Sequence, residues 1–260
     1  MHKARKQFGQ HFLTDQNILD KIIRSINPKP GDRIIEIGPG QGAMTDLVLQ
    51  HIRTMEVIEI DYDLAELLTL RHPSRLTIHR QDILKFDFNI LKAQPSSLRI
   101  IGNLPYNIST PILFLLLKNM NLIIDMHLML QKEVVDRMVA SPGNKIYGRL
   151  SVMLQPYFKM ESLFNIAPAA FSPPPKVNSS FVRITPRKIP LAEIINHGHY
   201  EEIVRAAFSQ RRKTLRNTVK NFLSNDEIAS LDIDPQLRPE VLEVAQFARL
   251  ANCYTKKISK

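Results

Sequence analysis

Arg33-Ile-Ile-Glu-Ile-Gly-Pro-Gly-Gln-Gly42 is the stretch whose reading decides the fold. Ile34, Ile35 and Ile37 form a short apolar run without helical spacing, which reads as a buried strand. Glycines at 38, 40 and 42 follow it directly, and a helical pattern begins near Ala43. Glycine has no Cβ, so such a turn can be tight and a ligand can lie against its backbone. Dinucleotide-binding folds use G-x-G-x-x-G to hold a pyrophosphate at a helix N-terminus. Here the spacing is G-x-G-x-G, with an acid, Glu36, just before the turn. That difference points to a cofactor without a pyrophosphate, S-adenosylmethionine. A glycine turn alone is equally compatible with a purely structural turn.

Working outward, further strands are expected over 55–60, 76–79, 98–101 and 124–130. Helices are expected over 17–26, capped by Thr14 or Asp15, and over 43–51 and 64–70. Strands alternating with helices argue for a parallel sheet covered on both faces. Glu59 closes the second strand 21 residues after Gly38, where a carboxylate can accept from both ribose hydroxyls. Asp82 follows the third strand, at the spacing for the adenine amino group. Ligands of open α/β sheets bind at the C-terminal ends of the strands. Gly38, Gly40, Glu59 and Asp82 together therefore read as an S-adenosylmethionine site.

After residue 186 no clear strand is expected, and helical patterns cover 200–208, 212–223 and 239–251. The fold class is thus α/β: a Rossmann-like S-adenosylmethionine-dependent methyltransferase sheet with helices on both faces, plus a small C-terminal helical domain. Residues 1–186 are expected to form the catalytic domain, with a basic N-terminal arm over 1–12. Residues 187–260 are expected to form an all-helical RNA-docking domain.

The fourth strand runs into Gly102-Asn-Leu-Pro-Tyr-Asn-Ile-Ser-Thr110. Asn103-Leu-Pro-Tyr106 fits the [DN]-x-P-[YF] pattern of methyltransferases acting on planar amino groups. The N6 lone pair of adenine is delocalised into the ring, so the amine is a poor nucleophile. Acceptors at the Asn103 side chain and the Leu104 carbonyl would hold its two hydrogens and favour a pyramidal nitrogen. Pro105 would fix φ in the turn, and Tyr106 would stack on the base. A sulfonium donor needs alignment more than a strong base. A target inside a duplex must be extruded to reach such a pocket.

The chain has 260 residues, and 35 Lys+Arg against 25 Asp+Glu give a net charge of +10. With 44% hydrophobic residues it can bury a core, which excludes disorder as its main state. The apolar run over 112–117 is far shorter than the roughly 18 residues that span a bilayer. The polar N-terminus lacks the apolar stretch of a signal peptide. The single cysteine, Cys253, excludes an internal disulfide and a Cys-rich zinc site, and no metal-ligand spacing appears. A soluble, cytoplasmic, monomeric protein is expected. Its cations concentrate at Lys3, Arg5 and Lys6 and at Arg211, Arg212, Lys213, Arg216 and Lys220. The second cluster would make one helix face continuously cationic, as phosphate binding requires.

Beyond these motifs the chain is similar to one family throughout residues 8 to about 217. The matching stretches are Phe8-Gly-Gln-His-Phe-Leu13, Glu36-Ile-Gly-Pro-Gly40, Val57-Ile-Glu-Ile-Asp61, Gly102 to Thr110, Met129-Leu-Gln-Lys-Glu-Val134, Tyr147-Gly-Arg-Leu-Ser-Val152, Phe171-Ser-Pro-Pro-Pro-Lys-Val177 and Gln210-Arg-Arg-Lys-Thr214. They resemble the KsgA family, the small-subunit (16S) ribosomal RNA adenine N6-dimethyltransferases. The resemblance implies dimethylation of two adjacent adenosines in the loop of the 3′-terminal helix of 16S ribosomal RNA, in the assembling 30S subunit. It implies cofactor contacts at His11, Leu13, Gly38, Glu59, Asp82 and Asn103, where the family often has Asn in place of His11. It implies that Phe171 stacks on the target adenine opposite Tyr106. Arg149 would contact phosphate or pair with an internal acid; the residues leave this open.

Two other functions compete. A large-subunit ribosomal RNA adenine N6-methyltransferase of the macrolide-resistance type commonly has Ile where this chain has Leu104. A ribosome assembly factor, or a related organellar transcription factor, would keep the fold with little catalysis, but Glu59, Asp82 and the Asn103–Tyr106 motif are intact.

Overall fold

The computed structural model describes residues 5, 9–210 and 212–259. Lys3, Lys6 and Arg211, three of the expected RNA-binding cations, lie outside the described residues. Strands are β1 (Phe12–Leu13), β2 (Arg33–Ile37), β3 (Met55–Ile58), β4 (Leu76–His79), β5 (Leu98–Asn103), β6 (Ile123–Gln131), β7 (Phe158–Ile166), β8 (Phe171–Ser172) and β9 (Ser179–Pro186). Helices are α1 (Gln16–Ile26), α2 (Ala43–Val48), α3 (Tyr62–Arg71), α4 (Ser109–Lys118), α5 (Lys132–Val139), α6 (Arg149–Leu154), α7 (His197–Ala207), α8 (Leu215–Thr218), α9 (Asn225–Ala229) and α10 (Val244–Ile258).

The chain divides into two compact units, residues 1–135 with 161–186, and residues 136–160 with 187–260. The sequence reading places 136–160 in the first domain; in the structure they pack with the C-terminal helices. The reason lies in long-range contacts. Tyr200 of α7 is fully buried and its hydroxyl donates to the Val152 carbonyl of α6 at 2.9 Å.

The first unit is built on a seven-stranded sheet in the order β4-β3-β2-β5-β6-β9-β7. The pairs β2–β3, β3–β4, β2–β5 and β5–β6 are parallel. β9 runs antiparallel to β6, so the sheet is mixed where a parallel one is expected. Strand order switches between β2 and β5, with β3 and β4 added on one side and β5 and β6 on the other, and that switch opens a crevice at the strand ends. α1 buries Leu19, Ile22, Ile23 and Ile26 in the core, and Asp15, not Thr14, caps it by accepting from Ile18 N–H at 3.1 Å. At the opposite ends of β5 and β6, Arg99 bridges Asp32 at 2.6 Å and Asp125 at 2.9 Å. His127 is buried in β6 and its Nε2 accepts from Arg183 Nε at 3.0 Å, a packing role.

In the second unit Tyr200, Ile203, Val204, Leu215 and Phe247 are buried, and Phe208 stacks on Phe247 at 5.5 Å. The helix expected over 212–223 is reduced to the single turn of α8. Its first backbone donors are diverted outward: Leu215 N–H donates to the Leu237 carbonyl and Arg216 N–H to that of Pro235. Arg212, Lys213, Arg216 and Lys220 are all exposed, but they follow a turn and a short helix instead of one continuous face.

Candidate active site

At the crevice a cavity of about 470 Å³ is lined by the glycine turn, the acids after β3 and β4, the arm 9–13 and residues 103–108. That size is within the roughly 300–1,000 Å³ of small-molecule sites. His11, Leu13, Gly38, Gly40, Glu59, Asp82, Asn103, Leu104, Pro105 and Tyr106 all line it. Five segments far apart in sequence thus meet on one space.

The glycine turn has left-handed backbone, with φ of 66° at Gly38 and 57° at Gly40. At Gly40 a Cβ would also meet the Phe12 ring at 3.0 Å, so only glycine lets β1 lie this close. Glu59 holds the turn in place. Its carboxylate accepts from Gly40 N–H at 3.1 Å and from Asp61 N–H at 2.8 Å. Burial raises its pKa above the usual carboxylate range, while those two backbone donors pull it back down. Asp82 accepts from Leu84 N–H at 2.9 Å, which fixes it at the mouth of β4.

In the sequence Glu36 marks only the cofactor type; in the structure it also lines the cavity. It is 1% exposed; Thr45 Oγ1 donates to its Oε2 at 2.6 Å, and its Oε1 has no partner among the described residues. Burial, with the Glu59 and Asp46 charges adding to it and the Thr45 bond opposing, pushes its pKa up to about 8. Sequence could show the acid but not its burial, because burial depends on β3 and β5 flanking β2.

At the acceptor motif, Asn103 Nδ2 donates to the His11 carbonyl at 2.8 Å. With the amide nitrogen so engaged, Oδ1 is the atom left to accept. The Tyr106 hydroxyl bonds to Ser179 Oγ at 2.6 Å, a partner with no signal in the motif itself. Burial raises the Tyr106 pKa. The His11 ring stacks on Tyr106, centroids 5.7 Å apart and 26° between planes, and its Nδ1 bonds to the Pro173 carbonyl at 2.8 Å.

Two expected residues are placed elsewhere. Phe171 is absent from the cavity wall; it is 4% exposed, pairs with Leu13 through β8 and belongs to the core cluster with Ile22, Ile166 and Phe181. Its large apolar ring gains more from that core than from a wet cleft. Arg5 is engaged by acids at the start of α3, bonding Asp61 at 3.0 Å and Asp63. Gln10 Nε2 donates to Asp61 as well, at 3.1 Å, so the arm is tied down beside the cavity. In the second unit Arg149 pairs with an internal acid, Glu201, at 2.8 Å.

The family model for ribosomal RNA adenine dimethylase matches residues 1–256. The chain belongs to this family. Ribosomal RNA small subunit methyltransferase A of Pseudomonas syringae pv. tomato is 52% identical over 99% of this chain and 97% of its own. The protein of that name from Marinomonas sp. is 51% identical over 98% of this chain and 97% of its own. Among solved structures, a dimethyladenosine transferase from Plasmodium falciparum superposes with a TM-score of 0.81 at 28% identity, covering 95% of this chain and 98% of that one. The 23S rRNA methyltransferase ErmE shares the fold, with a TM-score of 0.70 at 22% identity, covering 94% of this chain and 99% of that one. In this dimethylase the left-handed glycine turn, the buried Glu36 and the backbone-held Glu59 suit S-adenosylmethionine: a cationic ligand with a vicinal diol and no phosphate.

Proposed function

We infer that this chain dimethylates N6 of two adjacent adenosines in 16S ribosomal RNA of the small subunit, using S-adenosylmethionine. The observation that carries the reading is the Asn103 amide, oriented by His11 so that an acceptor oxygen remains at the cavity. The cofactor supplies an electrophilic methyl group on a sulfonium. Everything else is done by the chain's own residues.

Asn103 Oδ1 and the Leu104 carbonyl accept the two N6 hydrogens, which localises the lone pair. Leu104 is itself fixed by its N–H bond to the Met129 carbonyl at 3.1 Å. Tyr106, held by Ser179, offers the base a face, and stacking of this kind is worth roughly 1–3 kcal/mol per base. A stacking role for Phe171 would require its ring to leave the core; from its present position it supports Leu13 and the cavity wall. Glu59 accepts from the ribose hydroxyls, Asp82 accepts from the adenine amine, and Gly38 with Leu13 gives the cofactor a close wall. Sulfonium chemistry of this type needs alignment at attack distance and little base strength.

The substrate is taken in the assembling 30S subunit, and Arg212, Lys213, Arg216 and Lys220 dock its phosphates. The chain is proposed to act as a monomer. No helix among the described residues is long and apolar enough to cross a membrane. Such an enzyme works where ribosomes assemble, in the cytoplasm.

The test is incubation with unmethylated small and large subunits plus labelled cofactor, followed by mapping of the modified bases. Label on two neighbouring adenosines of 16S RNA is expected. Label in the large subunit, or in neither, would refute the reading.

A further inference from the structure

We propose that Glu36 acquires its charge only together with the cofactor: its unbonded Oε1 accepts a cationic group of S-adenosylmethionine, and cofactor uptake expels a proton from this carboxyl. The inference rests on the cofactor reading above and adds to it a binding residue and a coupled proton.

The geometry is that of an acceptor waiting for a donor. Glu36 sits in β2 directly before the glycine turn, 1% exposed, on the cavity wall. Oε2 is satisfied by Thr45, and Oε1 has no partner among the described residues although it is fully enclosed. Buried polar atoms are seldom left so, and each such atom asks for a reason. The charges acting on Glu36 are Asp46 from α2 and Glu59 after β3, both negative. Asp46 is occupied by Arg71 at 2.8 Å and His72 at 2.7 Å, and His11 and Asp82 line the same cavity. Without a cation beside it Glu36 is therefore mainly protonated at neutral pH, with its pKa pushed up to about 8. A sulfonium or ammonium placed beside it reverses that balance, because a nearby cation favours the carboxylate. The proton leaves to solvent, and no bond other than the O–H breaks.

Calorimetric titration of S-adenosylmethionine in two buffers of different ionisation enthalpy counts the protons released. For wild type minus Glu36→Gln, release of about 0.9 proton per cofactor is expected at pH 7, falling to about 0.1 at pH 9, from a carboxyl of pKa 8. Subtracting the variant removes every ionisation common to both proteins, the cofactor's own amine included. Wild-type affinity should rise about tenfold per pH unit from 6 to 7. The sign follows because the form that binds is the one the rising pH populates. Glu36→Gln should lack that component, so the gap between it and wild type should widen from pH 6 to pH 9. S-adenosylhomocysteine, which keeps the ammonium and lacks the sulfonium, tells which cation is met. Equal proton release from both proteins would overturn the proposal and leave the cofactor reading intact. Absence of binding by wild type would overturn both. Infrared difference spectra of the wild type alone give a check independent of the variant. The protonated-carboxyl stretch must fade on cofactor addition, and its persistence would overturn the proposal.

Discussion

Two tasks are proposed for Asn103, and a pair of substitutions separates them. Its Nδ2 donates to the His11 carbonyl at 2.8 Å, while Oδ1 is assigned to the target amine. Asn103→Asp keeps an acceptor but replaces the donor by an oxygen facing a carbonyl. A lost hydrogen bond is worth about 1 kcal/mol, and an orphaned carbonyl adds about 1–3 kcal/mol. A total of about 2–4 kcal/mol against the ordered arm is roughly thirtyfold to a thousandfold in any equilibrium that needs it. Asn103→Ala removes both the donor and the acceptor. Loss of a group that acts on charge developing in the transition state typically lowers kcat about 10²–10³-fold. Single-turnover methylation of unmethylated 30S subunits, with labelled cofactor at saturating and limiting concentration, resolves the two effects. The Asp variant should lose mainly apparent affinity, and the Ala variant mainly the rate at saturation. His11→Ala is the control, because it keeps the carbonyl that orients Asn103. An Ala variant within tenfold of the wild-type saturated rate would refute the acceptor role. Equal behaviour of the Asp and Ala variants would refute the division of labour between the two amide atoms.

Glu59→Gln offers one acceptor oxygen to two backbone donors, Gly40 N–H and Asp61 N–H, so one is left facing an amide. Calorimetry should show weaker cofactor binding together with about 1–3 kcal/mol lower stability; unchanged affinity would remove Glu59 from the cofactor site. Gly40→Ala places a Cβ in left-handed backbone 3.0 Å from the Phe12 ring. At about 1–2 kcal/mol for the backbone alone it should lower Tm by several degrees in a thermal melt, and an unshifted melt would mean the turn relaxes freely. Replacing Arg212, Lys213 and Arg216 together by Ala removes three exposed cations. The slope of log K against log salt for 16S RNA binding should fall by roughly 2–3 in magnitude, and an identical slope would return these residues to ordinary surface.

Much of the first unit is legible in sequence because its elements are local and strongly patterned. β2 and β4 lie where the apolar runs put them, and α1 starts where a capping acid stands. The antiparallel addition is a different matter. β7 mixes four polar residues with five apolar ones and is only part-buried, Phe158-Lys-Met-Glu-Ser-Leu-Phe-Asn-Ile166, so its alternation breaks at Ser162 to Phe164 and its place at the sheet edge is decided by neighbours distant in sequence. The helix expected over 212–223 fails for a related reason. The pattern is there, but residues 235–237 capture the backbone donors that would open it. Residues 136–160 change unit because the partner of α6, the buried Tyr200, lies 48 residues further on.

For the site, residue identity was legible and residue role only partly so. The motif names Asn103 and Tyr106, but it cannot reveal that His11 joins them. One residue of the arm holds Asn103 through its carbonyl, stacks on Tyr106 through its ring and bonds Pro173 through Nδ1. Its neighbours Phe12 and Leu13 close on the glycine turn and on Phe171. The cofactor wall and the acceptor motif are therefore mechanically joined by the arm, which Arg5 and Gln10 moor to Asp61. Asp61 is in turn the residue whose N–H is held by Glu59, the proposed ribose acceptor. A disturbance at the ribose acceptor thus reaches the methyl acceptor through bonded contacts alone: Glu59, Asp61, Gln10, His11, Asn103. This chain also accounts for a charge that the composition assigned to RNA. Arg5 belongs to the basic arm by sequence, but its two carboxylate partners make it a mooring for the active site, so the cations left for phosphate lie chiefly in the second unit.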